Sequence, residues 1–415
     1  MARFFLGLLL LATVVLTGCS SSDATGTDED NLGSCSELTQ VLLWAPRDPL
    51  APITKNLTPN LACTHYYVML PLNANDKTNF HGNVATEIAN VHNLGNNFHA
   101  VAEFNVSAWR KWIAMSPGTR DWHSAGVEFR KRMATAGFVL FDGQSDTWMI
   151  QEMPTTLVGA KNGIDPAQVR KDFIGAMRGL HDADGSLPKK KGGAFRAGHG
   201  QAMDSSLTSS QIDWILNSEK QSIEAWLEDT AFWNAADAYM RFWSEETYAD
   251  PHVACVPGSS VGARANSISD YTFHVPLLAD EGGAKTAAAR AFFHKAYLPI
   301  MSAAWMNDVG YGNTNVSLDN MKNHVSTEIY AVKAFFSTHA AYTGQRIGFA
   351  WVPDGTNPAD DTELGVRIAN AIDDAYADGH GASYACSPSG AFTLCQCSVS
   401  GASFVPAWGK VFSTY

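Results

Sequence analysis

The chain has 415 residues, 46% of them apolar and 17% charged, with a formal net charge of −12. This is ordinary globular composition, enough for one large domain or two small ones. The acidic balance argues against nucleic acid as a partner. At the amino terminus, MARFFLGLLLLATVVLTG carries one positive side chain, Arg3, then an uninterrupted apolar run and small residues. The run is too short to span a bilayer comfortably and has the proportions of a signal peptide.

The junction Leu16-Thr17-Gly18-Cys19 resembles the lipobox of bacterial lipoprotein signal peptides. The resemblance implies removal of residues 1–18 and acylation of Cys19 on its sulfur and its new amino group. It also implies a cell-envelope location outside the cytoplasm, at the outer membrane or the cell surface. More than one acyl chain is needed for stable anchoring. The competing reading is an ordinary secretory signal with an accidental cysteine. Residues 19–36 read as the lipidated cysteine and a tether. Within them, 20–34 hold four acidic residues and almost nothing apolar, and cannot offset the entropy of ordering. No later stretch suits a second span, so membrane contact is expected only through the lipid.

The remaining chain alternates apolar runs with helical patterns. Strands are expected at 40–46, 65–71, 99–105, 147–153, 192–198, 252–258 and 346–352. Helices are expected at 88–95, 124–137, 165–181, 209–243, 286–305, 318–339 and 363–377. Asp165 followed by Pro166 is a good helix start. Lys189-Lys190-Lys191, between Pro188 and Gly192, reads as a solvated loop. Strands apolar on both faces, alternating with helices, suit a parallel sheet covered by helices. The fold class expected is α/β, a (β/α)8 TIM-type barrel over 37–378. One strand is irregular or hidden between 280 and 317, near 309–317. An open doubly wound sheet is the alternative, but no Gly-x-Gly-x-x-Gly opens the first crossover.

Cys19 set aside, six cysteines remain: Cys35, Cys63, Cys255, Cys386, Cys395 and Cys397. An even number in an exported chain suggests disulfides, with fifteen pairings open. Residues 379–415 hold three of them and read as a disulfide-stapled extension packed on the barrel. No Cys-x-x-Cys or His-Glu-x-x-His occurs, so neither a metal nor another cofactor is expected.

Parallel barrels carry their catalytic groups at the carboxyl ends of strands. Glu103 in HAVAEFN and Glu152 in TWMIQEM stand there, on consecutive predicted strands. At matching heights their carboxylates would be ~5–9 Å apart, the range that glycosidic bond cleavage uses. Gln151-Glu152-Met153-Pro154 resembles the Asn-Glu-Pro turn bearing the acid/base glutamate of many (β/α)8 glycoside hydrolases. Trp351, near the end of the last predicted strand, resembles their sugar-platform tryptophan. The resemblance implies hydrolysis of a polysaccharide or glycan, with Glu152 as acid/base. Gln151 departs from the usual Asn, and no glutamate ends a recognisable seventh strand. Glu103 is therefore taken as the partner carboxylate, with Glu328 a weaker choice. Either glutamate could instead cap a helix or pair with a buried arginine.

Asn105, Asp76, Lys77, His199 and Gln201 follow strand ends and could bond sugar hydroxyls. Among twelve tryptophans, Trp109, Trp112, Trp122, Trp148 and Trp351 lie near strand ends, where indoles could stack on sugar rings. Trp214, Trp226, Trp233 and Trp243 recur at near-helical spacing and read as core. Two other functions remain open. One is a non-catalytic glycan-binding lipoprotein. The other is a serine esterase or peptidase built on Gly258-Ser259-Ser260-Val261-Gly262, with Asp308 or Asp354 and His324 or His380. Pro257 counts against that elbow, because the strand should still donate hydrogen bonds there. A monomer is expected.

Overall fold

The structure is a computed structural model that describes residues 39–44, 64–72, 84–95, 98–140, 146–196, 217–245, 272–302, 332, 335–344 and 347–350. It is a mixed α/β fold around a parallel sheet. The strands are β1 Thr39–Trp44, β2 Thr64–Pro71, β3 Phe98–Asn105, β4 Thr147–Met153, β5 Gly192–Arg196, β6 Met240–Glu245, β7 Ile300–Ser302 and β8 Ile347–Ala350. They form one sheet in the order β6-β5-β4-β3-β2-β1-β8-β7. Every pairing between neighbouring strands is parallel. β6 and the residues entering β7 also meet: Trp243 and Tyr297 form a parallel bridge, and the Leu298 N–H donates to the Trp243 carbonyl at 2.8 Å.

The helices are α1 Val84–Asn93, α2 Val106–Ala114, α3 Trp122–Ala136, α4 Pro166–Asp182, α5 Lys220–Leu227, α6 Thr230–Tyr239, α7 His274–Glu281 and α8 Ala287–Ala296. α3 starts on a capping box between Asp121 and Ser124 and stops at Gly137, whose φ of 96° favours glycine. α4 starts as its sequence predicts, with the Asp165 side chain accepting from the Ala167 N–H. α3 and α4 touch backbone to backbone, because a Cβ on Gly179 would lie 2.1 Å from the His123 carbonyl oxygen.

Alternation along the strands sorts side chains into two layers. Val68, Leu70, Ala102, Phe104, Trp148, Ile150, Ala194 and Trp243 pack outward against the helices. Tyr67, Met69, Val101, Met149, Phe195, Phe242, Leu298 and Ile300 form a separate inner cluster. At the edge of this inner layer the half-buried Arg241 of β6 donates from its Nη2 to the Tyr67 hydroxyl of β2 at 2.9 Å. In a flat sheet those strands would stand about 19 Å apart, so the sheet curls strongly.

Six expected strands appear close to their expected limits: 40–46, 65–71, 99–105, 147–153, 192–198 and 346–352. The hidden strand lies at Ile300–Ser302, inside the expected span but not near 309–317. It also interrupts the helix expected over 286–305. The helix expected over 209–243 is divided, in its described part, into α5, α6 and β6. At Met240 the backbone turns extended, φ −118° and ψ 151°, with no Gly or Pro to announce it. α2 and α7 arise where no helix was expected. Lys190 is not solvated: it is buried, and its carbonyl accepts from the Trp148 indole at 2.8 Å. The expected strand 252–258, the helix 363–377, the extension 379–415, the leader, the tether and all seven cysteines lie outside the described residues. Among the described residues no helix is long and apolar enough to cross a membrane.

Candidate functional site

Glu103 is the sixth residue of β3 and has the inward parity of Val101. It is only 4% exposed, an expensive place for a carboxylate without work or partners. Two residues on, Asn105 ends β3 and caps α2. Its Oδ1 accepts from the Ala108 N–H at 3.0 Å, which fixes the amide orientation. Its Nδ2 therefore faces inward, 3.3 Å from the Glu103 Oε1 and 3.3 Å from the Gln151 Oε1. Gln151 is buried and pairs with Asn105 in the sheet register. The carboxyl ends of β3 and β4 thus converge on one carboxylate and two amides. This set can accept hydrogen bonds from hydroxyls and exchange a proton.

The register does not put the two proposed glutamates at matching heights. Glu103 stands opposite Met149, and Glu152 lies three residues further along β4. The Cα positions are then about 11 Å apart, taking ~3.3 Å per residue and ~4.8 Å between strands. The backbone of Glu152 lies in β4, while its side chain is outside the described residues. A bulge sits at this point. Between Ile150 and Met153, β4 takes three steps where β5 takes two, from Ala194 to Arg196. The alternation slips with it: Met149 is inward, yet Met153 packs in the outer layer.

Trp109 is not a sugar platform. It points outward, is fully buried, and stacks on Phe104 at 5.2 Å and 6°. Helix α2 carries it back over the sheet. Trp148 and Trp122 are core residues as well, the latter stacked on Phe173 at 5.3 Å. Trp112 is half-buried beneath the Arg120 guanidinium, 4.1 Å from its ring. Trp226, Trp233 and Trp243 form the core expected of them, with ring separations of 4.8–5.5 Å. Trp351, Asp76, Lys77, His199, Gln201, Glu328, Ser260 and its loop, Asp308, Asp354, His324 and His380 lie outside the described residues.

A third strand-end glutamate had no sequence signal, because its strand is hidden in a helical pattern. Glu245 ends β6 and is 2% exposed. The Arg196 Nε, from the end of β5, donates to its Oε2 at 2.6 Å, and the Arg196 Nη2 touches the same oxygen. The Trp243 indole donates to its Oε1 at 2.7 Å. Burial pushes this carboxyl above its ordinary value, against the lowering pull of Arg196. The pair lies in the outer layer, with Arg196 over the Trp226 ring, and has no inward face. Among the described residues no group of three His, Cys, Asp or Glu could hold a metal ion. No protein-family model and no curated protein sequence matches the chain.

Proposed function

We propose that the chain is an exported, lipid-anchored glycoside hydrolase whose sheet closes as a (β/α)8 barrel. Two contacts support closure: the Trp243–Tyr297 bridge, and Arg241 reaching Tyr67 across the interior. The observation that carries the catalytic reading is the inward, buried Glu103 beside a bulge at Gln151–Glu152. Bulges occur next to active sites, where they re-aim a side chain. Glu152 is the acid/base, Glu103 the partner carboxylate, and Asn105 and Gln151 bind substrate hydroxyls. Trp351, Asp76, His199 and Gln201 complete the substrate list. The ~11 Å backbone offset suits inversion better than retention, whose carboxylates stand only ~5–5.5 Å apart. Cys19 carries the lipid, at the outer membrane or cell surface, and the protein works as a monomer on carbohydrate.

The test is turnover on a glycan panel with Glu152→Gln and Glu103→Gln. Each should lower kcat by about 10²–10⁴-fold, the scale of general acid–base catalysis. Full activity in both variants would end the reading. The three-residue offset also favours a second reading, a glycan binder without turnover. In that case no glycan is cleaved, and the same substitutions weaken binding alone.

A further inference from the structure

An all-parallel sheet has two unlike ends. The Glu103 cluster sits at the carboxyl end. β1 opens with Thr39 at the other. β2 and β3 are eight residues long, so the two ends lie about 26 Å apart.

The amino end is basic where β5, β6 and β7 begin. Lys191 immediately precedes Gly192, the first residue of β5, and its Nζ donates to the Asp237 carbonyl at 2.8 Å. Lys295, in the last turn of α8, pairs with the Asp237 carboxylate. Lys189 lies 3.6 Å from Asp182, which also bonds His181 at 2.8 Å. Lys189 is 73% and Lys295 53% exposed on their side chains. Three lysines here face Asp182 and Asp237, with Asp184 beside Asp182 in the same loop, on a chain whose net charge is −12. Like charges crowd here: burial lowers the pKa of Lys191, Asp237 opposes that, and Lys295 adds to it.

We infer that the face bearing Lys189, Lys191 and Lys295 rests on the anionic headgroups of the anchoring membrane and turns the Glu103 end outward. This rests on the lipoprotein reading above. The charge sign fits anionic lipid, and β1 opens at Thr39 on the same side. The substrate class follows: a glycan approached from the side away from the anchoring bilayer, not the headgroup of a lipid in it.

The test uses the mature chain in two forms. One is the native lipoprotein, with the mass of its amino-terminal peptide reporting acylation. The other carries a hexahistidine in place of Cys19, held on nickel-chelating vesicles. A donor fluorophore is placed at position 238, in the last turn of α6, or at position 160 in the β4–α4 loop at the opposite end. Energy transfer to acceptor lipids in phosphatidylglycerol vesicles should be stronger from 238. K189Q/K191Q/K295Q should remove the difference, and K161Q/K171Q should leave it. Partitioning of the unanchored chain onto those vesicles should fall about tenfold in the triple variant. That is less than three free lysines would give, since Asp182 and Asp237 neutralise part of the patch. Equal or reversed transfer in the histidine-tagged form overturns the inference, whatever the state of Cys19. A native chain without acyl groups overturns the lipoprotein reading alone.

Discussion

Glu103 and Glu245 are both buried glutamates at the carboxyl ends of strands in one sheet, yet they sit in different chemistry. Glu245 faces outward, under helices, and meets a guanidinium and an indole N–H. Glu103 faces inward and meets a side-chain amide. A strand-end position alone does not mark a catalytic carboxylate. What separates the two is the face of the sheet each occupies. Glu245 carries the buried-arginine pairing that could have explained any of these acids.

Several experiments would break or sharpen that contrast. The largest effect is expected at the ion pair. Glu245→Ala leaves Arg196 charged and buried, which costs about 3–5 kcal/mol. Chemical denaturation should show it, and Arg196→Met with Glu245→Leu should recover most of the loss. Trp109 belongs with Glu245 on the outer face. Trp109→Ala should cost about 3–5 kcal/mol in the same assay. By contrast Glu103→Gln should change stability by under about 1 kcal/mol, since an amide is isosteric and needs no charge partner. A loss as large as that of Glu245→Ala would erase the distinction. The smallest effect is on pH dependence. Because burial lifts the Glu245 carboxyl, the folded state holds that proton more readily than the unfolded chain. Its contribution is full below about pH 4.5 and is lost as pH rises through the folded value. Glu245→Gln should remove that slope, read as the midpoint of unfolding against pH.

The parallel strands were legible wherever an apolar run stood alone. β6 was not, because Trp226, Trp233 and Trp243 keep near-helical spacing across a helix, a turn and a strand. All three meet in one aromatic cluster, and it is the cluster, not one helix, that their spacing serves. β7 had a usable sign in Pro299, which disfavours helix at the residue before it. Glu103 was legible as a polar residue in an apolar strand. Its height relative to Glu152 was not, because stagger between strands is set by the sheet and by a bulge of one residue. Trp109 failed as a platform because α2, which no expectation included, returns it to the core.

Asn105 has one amide and three partners: the first turn of α2, Glu103 and Gln151. Its carbonyl oxygen is taken by the helix start and its amino group by Glu103 and Gln151. The orientation of that amide is therefore conditional on the helix that follows β3, and whatever shifts Glu103 tugs on the start of that helix.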